Sequence, residues 1–458
     1  MTASDGPARE DPRPVSARRV AFEVLRAVRE EDAYANLALP PRLDRARLSR
    51  EDAAFATELA YGTLRLAGYY DAIIALASGR RISRIDPVAL DVLRLGVHQH
   101  LALGTAPHAV VNESVSLIRE VGRARADRFV NAVLRRVTER TAGAWRDAVA
   151  TAEGDPESAF AVIHAHPRWI VAALRAALAA EGNADELTAL LEADNRAPEV
   201  NAMVPPGTPV DVAGLTPDRY SPIGFRDVPR EKLDGRIRVQ DEGSQLAALA
   251  LVAARPVRAG EKWVDLCAGP GGKAIVLAAA ARLGGAEFTA NEVVPSRAGL
   301  VRAGLAAVGL VDVEVTEDDA RQLRETPDRF DRILLDAPCT GLGALRRRPE
   351  ARWRKSADDL ESLTQLQADL LDAAAVALRP GGLMAYVTCS PHLAETRDQI
   401  TGALRRHPEL RGVATRSVLD RVVRSPLPPT GDGDSVQLWP HRHNTDAMFI
   451  QLLTKVEE

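Results

Sequence analysis

Apolar residues in the first part of the chain recur with a helical period, and no strand alternation interrupts them. Phe129, Val130, Val133, Leu134 and Val137 repeat at the spacing of one helix face. Ser49 followed by Asp52 has the form of a capping box ahead of "AAFATELAYGTLR", and Asp86 with Pro87 opens another helical run. The pattern predicts an all-helical domain over residues 1–142. From 143 to 235 it is mixed: "WIVAALRAALAAEG" reads as a helix closed by Gly182, and "EVNAMVPPGTPV" and "YSPIGF" are short extended pieces broken by proline and glycine. A small mixed α/β connecting domain is expected there.

Over residues 236–458 short apolar strands alternate with helices. "KWVDLCAGPGG" is a strand and a glycine-rich turn, "KAIVLAAAARLG" a helix, "AEFTANE" a strand, "PSRAGLVRAGLAAVG" a helix and "VDVEVTEDDA" a strand. "FDRILLDAP" is a strand, "DDLESLTQLQADLLDAAAVALRPGG" a helix with a turn, and "LMAYVTCS" a strand. Such alternation implies an α/β fold, a parallel sheet with helices on both faces. Ligands of such sheets bind at the carboxyl ends of the strands near the switch point. No internal repeat or low-complexity segment occurs.

Composition narrows the class. The 458 residues suggest roughly three domains at about 150 residues each. Apolar residues make up 46% and charged residues 27%, and no apolar run approaches the ~18 residues of a membrane span, so a soluble protein with no membrane partner is expected. The amino terminus "MTASDGPAREDPRPVSARRV" lacks the apolar core of a secretory signal, and a cytoplasmic location is expected. Three cysteines, an odd number in a long chain, fit a reducing compartment and no disulfide framework. The net charge of −4 does not point to nucleic acid, but its distribution does. "RRRPEARWRK", Arg346 to Lys355, carries six basic residues against one glutamate, and Arg119 to Arg140 carries seven arginines against three acids. Either alone reads as a solvated helix face, whereas two such patches point to a polyanionic partner.

The candidate chemistry lies where strands end. Cys267, Ala268, Gly269, Pro270, Gly271, Gly272 and Lys273 join the first strand to its helix, and glycines there let a ligand approach backbone N–H groups at a helix N-terminus. Gly269, Gly271 and Ala274 satisfy G-x-G-x-x-A, which alone would also serve a nicotinamide cofactor. Glu292 ends the second strand, placed for ribose hydroxyls, and Asp319 ends the third, placed for an adenine amino group. Each singly could be a loop carboxylate capping a helix. In order, the series resembles the S-adenosylmethionine-binding edge of a class I methyltransferase. Cys339 in "DAPCTG" and Cys389 in "VTCS" end two strands expected to be neighbours, so both can line one pocket, and Cys267 reads as a small packing residue. No metal is expected, because the cysteines lack C-x-x-C spacing and the histidine pairs lack companion ligands.

"DLCAGPGGKA", "DAPCTGLG" followed by "RRRPEARWR", "VTCSPHLAET" and "QLWPHRHNTDAMFI" resemble, in that order, the Sun (Fmu) family of ribosomal RNA cytosine-5 methyltransferases. "VVNESVSLIREVG" with "FVNAVLRRV" resembles the NusB-like RNA-binding domain that precedes the catalytic domain in such enzymes. The resemblance implies a class I, Rossmann-like methyltransferase domain behind an all-helical NusB-like domain. It implies S-adenosyl-L-methionine as cofactor, 16S (small-subunit) ribosomal RNA as partner, and methylation at cytosine C5; a monomer is expected. Cytosine C5 is too poor a nucleophile to attack a methyl sulfonium, so a thiolate first adds at C6. A carboxyl group beside N3 stabilises the charge that develops, and Asp336 is the candidate by its place in "DAPC". The residue pattern leaves open which thiol attacks; the resemblance assigns attack to Cys389 and assistance in product release to Cys339, and it adds Lys273 and Asp336 to the cofactor edge. Competing readings are a non-catalytic RNA-binding or antitermination factor, a methyltransferase acting on transfer RNA, and an oxidoreductase that would leave both thiol motifs unexplained.

Overall fold

The computed structural model describes residues 15–431 and 433–456. The first part of the amino terminus, read above as lacking a secretory signal, lies outside the described residues. The chain divides into two compact units: Met1–His166 with Arg348–Glu350, and Pro167–Arg347 with Ala351–Glu458. Among the described residues, no helix is long and apolar enough to cross a membrane.

The first unit is helical from Ala17 to Ile163. Ser49 accepts from the Asp52 backbone N–H at 3.0 Å, and Asp86 accepts from Val88 and Ala89 ahead of Pro87, so both expected helix starts are capped. Val130, Val133, Leu134 and Val137 are buried in a core with Phe22, Leu59 and Ile73, and Phe129 packs at its edge. The unit runs past residue 142 to His166. Helix Ala142–Glu153 adds to it because Trp145 is buried in the same core and donates its indole N–H to the Val137 carbonyl at 2.9 Å.

In the second unit, helix Arg168–Ala179 is followed by Gly182 at φ +77°. A small antiparallel sheet then forms from β1 (Asn201–Met203), β2 (Thr216–Pro217), β3 (Gly224–Arg226) and β4 (Arg238–Val239), in the order β2-β3-β1-β4. It belongs to the same compact unit as the larger sheet. Met203 is buried among Ala248, Ala274 and Ile275, and β4 pairs with β1 just before helix Glu242–Ala253.

The larger sheet contains β5 (Lys262–Asp265), β6 (Glu287–Asn291), β7 (Glu314–Thr316), β8 (Phe330–Asp336), β9 (Leu378–Thr388), β10 (Leu410–Val413), β11 (Val436–Gln437) and β12 (Phe449–Lys455). Their order is β10-β12-β9-β8-β5-β6-β7, with β11 paired to β12. The five strands expected from the alternation are parallel, whereas β12 runs antiparallel to β9, β10 and β11, so the sheet is mixed. Strand order reverses beside β5, which places the switch point at the carboxyl ends of β5 and β8.

A fully buried cation fastens β8 to β5 at the opposite, amino ends of the two strands. Arg332 of β8 stacks over Trp263 with its guanidinium carbon 4.5 Å from the ring centroid, and its Nε donates to Glu261 at 3.0 Å. Its remaining N–H groups donate to the carbonyls of Leu251, Val252, Arg255 and Pro256, the open C-terminal end of helix Glu242–Ala253. Glu261 also accepts from the Trp263 indole at 2.8 Å. Arg332→Leu leaves these carbonyls without their donor and takes from Glu261 one of its two cations, Arg255 being the other, so it should destabilise the second unit by about 3–5 kcal/mol. Glu261→Gln, which keeps an acceptor, should cost less. Urea unfolding followed by tryptophan fluorescence measures both, and a loss under about 1 kcal/mol for Arg332→Leu would contradict the assignment.

Candidate active site

The carboxyl edge of β5, β6 and β7 is held together by backbone and side-chain bonds. After Asp265 the chain turns, with Leu266 N–H donating to Leu334 of β8 and Ala268 N–H to Asn291 of β6. Gly271 has φ +112°, and a Cβ there would stand 3.2 Å from the Val301 backbone, so the turn into helix Gly272–Gly284 requires glycine. Glu292 is buried: one carboxylate oxygen accepts from Gly269 N–H at 3.0 Å and the other from Val294 N–H at 3.0 Å. A Cβ on Gly269 would come within 2.3 Å of that Glu292 oxygen, which excludes alanine without rearrangement. Pro270 lies beside these glycines in a cis peptide bond with Gly269.

The candidate cofactor residues fall into two groups. Cys267 through Lys273, Glu292 and Asp336 converge on this edge. Asp319 instead caps the short turn Ala320–Glu325 and is paired with Arg321 at 2.6 Å. Two residues unremarked in the sequence complete the edge. Asn291 donates to the carbonyls of Leu266 and Asp318 and accepts from Thr316 and Asp318, so it joins the ends of β5, β6 and β7. Asp265 is buried, and its Oδ2 has no hydrogen-bond partner within the chain. Burial pushes its carboxyl up to about 8, with the Asp336 charge adding and Lys273 opposing. Its position, directly before the glycine turn, was the available signal.

The thiols meet as their strands do. In the β8–β9 pairing Asp336 stands opposite Val387, and Ala337 N–H donates to the Val387 carbonyl at 2.9 Å. Cys339 and Cys389 therefore leave adjacent strand ends, and their Sγ atoms are 3.4 Å apart, both half-buried. Lys273 reaches across from its helix to donate to Asp336 at 2.8 Å. Burial opposes the lysine charge, yet the Asp336 carboxylate holds it above the ordinary lysine range, with Cys389 and Asp265 pulling the same way. The contact with Cys389 pushes the Cys339 thiol well above the ordinary range, with burial and the charges of Glu395 and Asp336 adding. Cys267 stands apart from the pair: its thiol is pushed up by burial and by Asp265, and it packs at the edge of an apolar cluster.

Three further contacts hold the thiol pocket. The fully buried Glu395 accepts from Thr340 N–H at 2.7 Å and from the Thr340 hydroxyl, tying the loop after Cys339 to the loop after Cys389. Gln367 donates to the Pro338 carbonyl at 2.8 Å. Gly343 N–H donates to the Cys389 carbonyl and its own carbonyl accepts from Ala447 N–H, each at 2.8 Å; a Cβ would lie 2.0 Å from the Ala447 oxygen. The carboxyl-terminal segment, assigned no site role from the sequence, thus braces the pocket.

The arginine-rich stretch after Cys339 departs from the expected open basic stripe. Arg346 is buried against Asp446 and Asn444, Arg347 donates to Asp241 at 2.7 Å and Asp446 at 3.0 Å, and the fully buried Arg352 donates to Asn195 and the Asp194 carbonyl. These arginines satisfy internal acceptors remote in sequence; Arg348 and Trp353 are the exposed residues of the stretch. Among the described residues, no group of three or more His, Cys, Asp or Glu side chains is arranged to hold a metal ion.

Known proteins agree with this architecture. Residues 252–454 match the family model for 16S rRNA methyltransferase RsmB/F, and residues 15–139 match that of the NusB family. A putative methyltransferase of Mycobacterium tuberculosis is 46% identical, over 99% of this chain and 99% of that one. The ribosomal RNA small subunit methyltransferase B of Pseudomonas putida is 31% identical over 87% of this chain and 91% of its own. The crystal structure of PH0851 shares the fold, with a TM-score of 0.78 at 23% identity, over 98% of this chain and 100% of that one. With the methyltransferase family model matched over its second part, a NusB-family region before it and relatives alike over nearly its whole length, the chain belongs to the RsmB/F family of 16S rRNA methyltransferases.

Proposed function

We propose that this methyltransferase transfers a methyl group from S-adenosylmethionine to C5 of a cytosine in small-subunit (16S) ribosomal RNA, through a covalent bond between Cys389 and cytosine C6. The observation that carries this reading is the pair of thiols 3.4 Å apart beside the Lys273–Asp336 ion pair. A non-catalytic RNA-binding factor has no use for that arrangement.

The cofactor edge fits S-adenosylmethionine. The buried Asp265 Oδ2, without a partner in the chain, offers a free hydrogen-bonding oxygen beside the turn, and Glu292 lies at the end of β6, where ribose hydroxyls would reach it. Cys267 through Lys273 would cradle it, and Asp319, paired with Arg321 but with its side chain 35% exposed, keeps acceptor capacity for an adenine amino group. S-adenosylmethionine supplies the electrophilic methyl group.

The chain's residues then divide the remaining work. The Cys389 thiolate would bond to C6 as the C5–C6 π electrons move through C4 to N3, which takes up a proton from the Asp336 carboxyl, leaving C5 as an enamine carbon able to attack. Asp336, with a side chain 26% exposed, would take that proton back as the C6–S bond breaks, and Lys273 beside it steadies its carboxylate form in between. C5 takes the methyl group, loses its proton to a base, and the C6–S bond breaks to return the thiolate. Two local asymmetries favour Cys389 as the attacking sulfur. The Lys273 ammonium interacts with Cys389, whereas Cys339 faces Glu395 and Asp336 and keeps its proton. Cys339, its Sγ 3.4 Å from that of Cys389, would assist release by giving its proton to the departing sulfur.

Incubation with labelled S-adenosylmethionine and unmodified 16S ribosomal RNA, followed by bisulfite sequencing, should show one new methylcytosine; absence of transfer to any RNA would overturn the reading. Cys389→Ala should lose turnover and form no covalent RNA adduct, while Cys339→Ala should accumulate an adduct that survives denaturation. The opposite pattern on denaturing gels would exchange the two roles. Lys273→Met removes the cation that favours the thiolate. Its transfer rate should fall by about 10²-fold near neutral pH and the rising limb of its pH–rate profile should move to higher pH; an unmoved limb would remove Lys273 from thiolate activation.

A further inference from the structure

We infer that His392 is a substrate-binding residue: it donates its Nε2–H to a phosphate flanking the target cytidine and so seats that nucleotide over Cys389. This rests on the RNA substrate and the attacking sulfur proposed above and adds the group that holds the nucleotide's backbone while its base enters the pocket.

The turn after Cys389 fixes the ring. His392 stands three residues beyond Cys389. Its backbone N–H donates to the Ser390 hydroxyl at 3.2 Å, its carbonyl accepts from the Thr396 hydroxyl at 2.9 Å, and the Ser390 carbonyl accepts from the Thr388 hydroxyl at 3.0 Å. The Ser390 hydroxyl also lies 3.2 Å from that of Thr340, the residue after Cys339. His392 is thereby tied to the chain beside both thiols, at the rim of the pocket they line.

The same bonds settle which nitrogen holds the proton. Ala394 N–H donates to Nδ1 at 3.1 Å, so His392 caps the short turn Leu393–Glu395 and Nδ1 carries a lone pair. Burial holds the imidazole below the ordinary histidine range against the opposing charges of Glu395 and Asp398, so the ring is neutral near pH 7 and its one proton sits on Nε2. Nε2 has no partner among the described residues, and unlike the Nε2 atoms of His98 and His443 it is not enclosed. Capping needs only one acceptor, which Asn or Asp supplies from a shorter side chain. The second nitrogen is left as a fixed donor open to solvent.

A donor at this place selects the RNA backbone. For a thiolate to reach C6 the cytosine turns out of its stack and enters the pocket first, which leaves its two flanking phosphates at the mouth. A rim donor therefore meets phosphate oxygen, the commonest acceptor in nucleic-acid complexes, before it meets a base edge. With Nδ1 engaged and Nε2 protonated, His392 is not the base that takes the C5 proton.

The test uses the full chain and a 16S ribosomal RNA fragment that it binds, with affinity read by anisotropy and initial rates taken at saturating S-adenosylmethionine. His392→Asn keeps a capping acceptor and lacks the distal donor; it should raise both Kd and KM for RNA about tenfold, with kcat within about twofold of the parent and cofactor affinity unchanged. His392→Gln reaches the Nε2 position with an amide N–H and should recover most of that loss. A methylphosphonate in place of one phosphate flanking the mapped cytosine should weaken the parent about tenfold and His392→Asn no further. RNA affinity unchanged in His392→Asn means that the ring only caps its turn, and it would overturn the inference. Methylphosphonates that weaken His392→Asn as much as the parent would overturn it as well. Transfer by a His392→Asn chain of unaltered RNA affinity sinks the role of His392 alone, and weakened RNA binding in His392→Asn without transfer by the parent sinks only the transferase reading.

Discussion

The parallel register of β8 and β9 is the constraint on which the site depends. With Asp336 set opposite Val387, the two strands end nearly level, and the loops that follow leave the sheet side by side. Cys339 and Cys389 are consequently brought to 3.4 Å although 50 residues separate them in the chain. Slipping the register by one residue would turn each side chain to the opposite face and part the thiols. Much of the second unit acts to prevent that slip. Arg332 fixes β8 to β5 and to the end of a helix, β12 covers the far edge of β9, and Glu395 ties the two thiol-bearing loops together.

Once the thiols are adjacent, their surroundings make them unequal. Two identical groups in contact do not ionise together, so small differences in neighbouring charge decide which holds the proton. The Lys273 and Cys389 charges act on each other, while Cys339, pushed up first by its contact with Cys389 and by burial, also feels the charges of Glu395 and Asp336. The same lysine neutralises Asp336, so one cation serves both the carboxylate proposed for N3 and the sulfur proposed for C6. Asp265, whose Oδ1 accepts from the Cys267 N–H while its Oδ2 has no hydrogen-bond partner within the chain, and whose carboxyl is pushed up to about 8, is the complementary feature on the cofactor side: a buried polar group with unused hydrogen-bonding capacity beside the glycine turn.

The five parallel strands were legible because each is a short apolar run bounded by turn residues and separated from the next by a helical period. β10, β11 and β12 were not. β10 is only four residues long, β11 two, and β12 lies at the end of a stretch whose histidines, asparagine and aspartate dominate its appearance. Of the site, the glycine turn and the thiols were legible because their chemistry is carried by residue type. Asn291, Glu395 and Asp265 were not, since a polar residue gains its role from carbonyls, N–H groups or vacant acceptors supplied by distant segments. The arginines after Cys339 mislead for the same reason. Counting charges along "RRRPEARWRK" cannot reveal that Asp241, Asp446 and Asn195, far off in sequence, already receive Arg346, Arg347 and Arg352.

The central claim is that Cys389 is the sulfur that bonds to the base. RNA carrying 5-fluorocytidine at the target position tests it most directly, because the fluorine at C5 cannot leave as a proton and the adduct persists after methyl transfer. Digestion of the trapped complex and mass spectrometry of the cross-linked peptide should find the nucleotide on the peptide that contains Cys389. Attachment to the peptide containing Cys339, or the absence of any adduct with RNA that is otherwise methylated, would contradict the account.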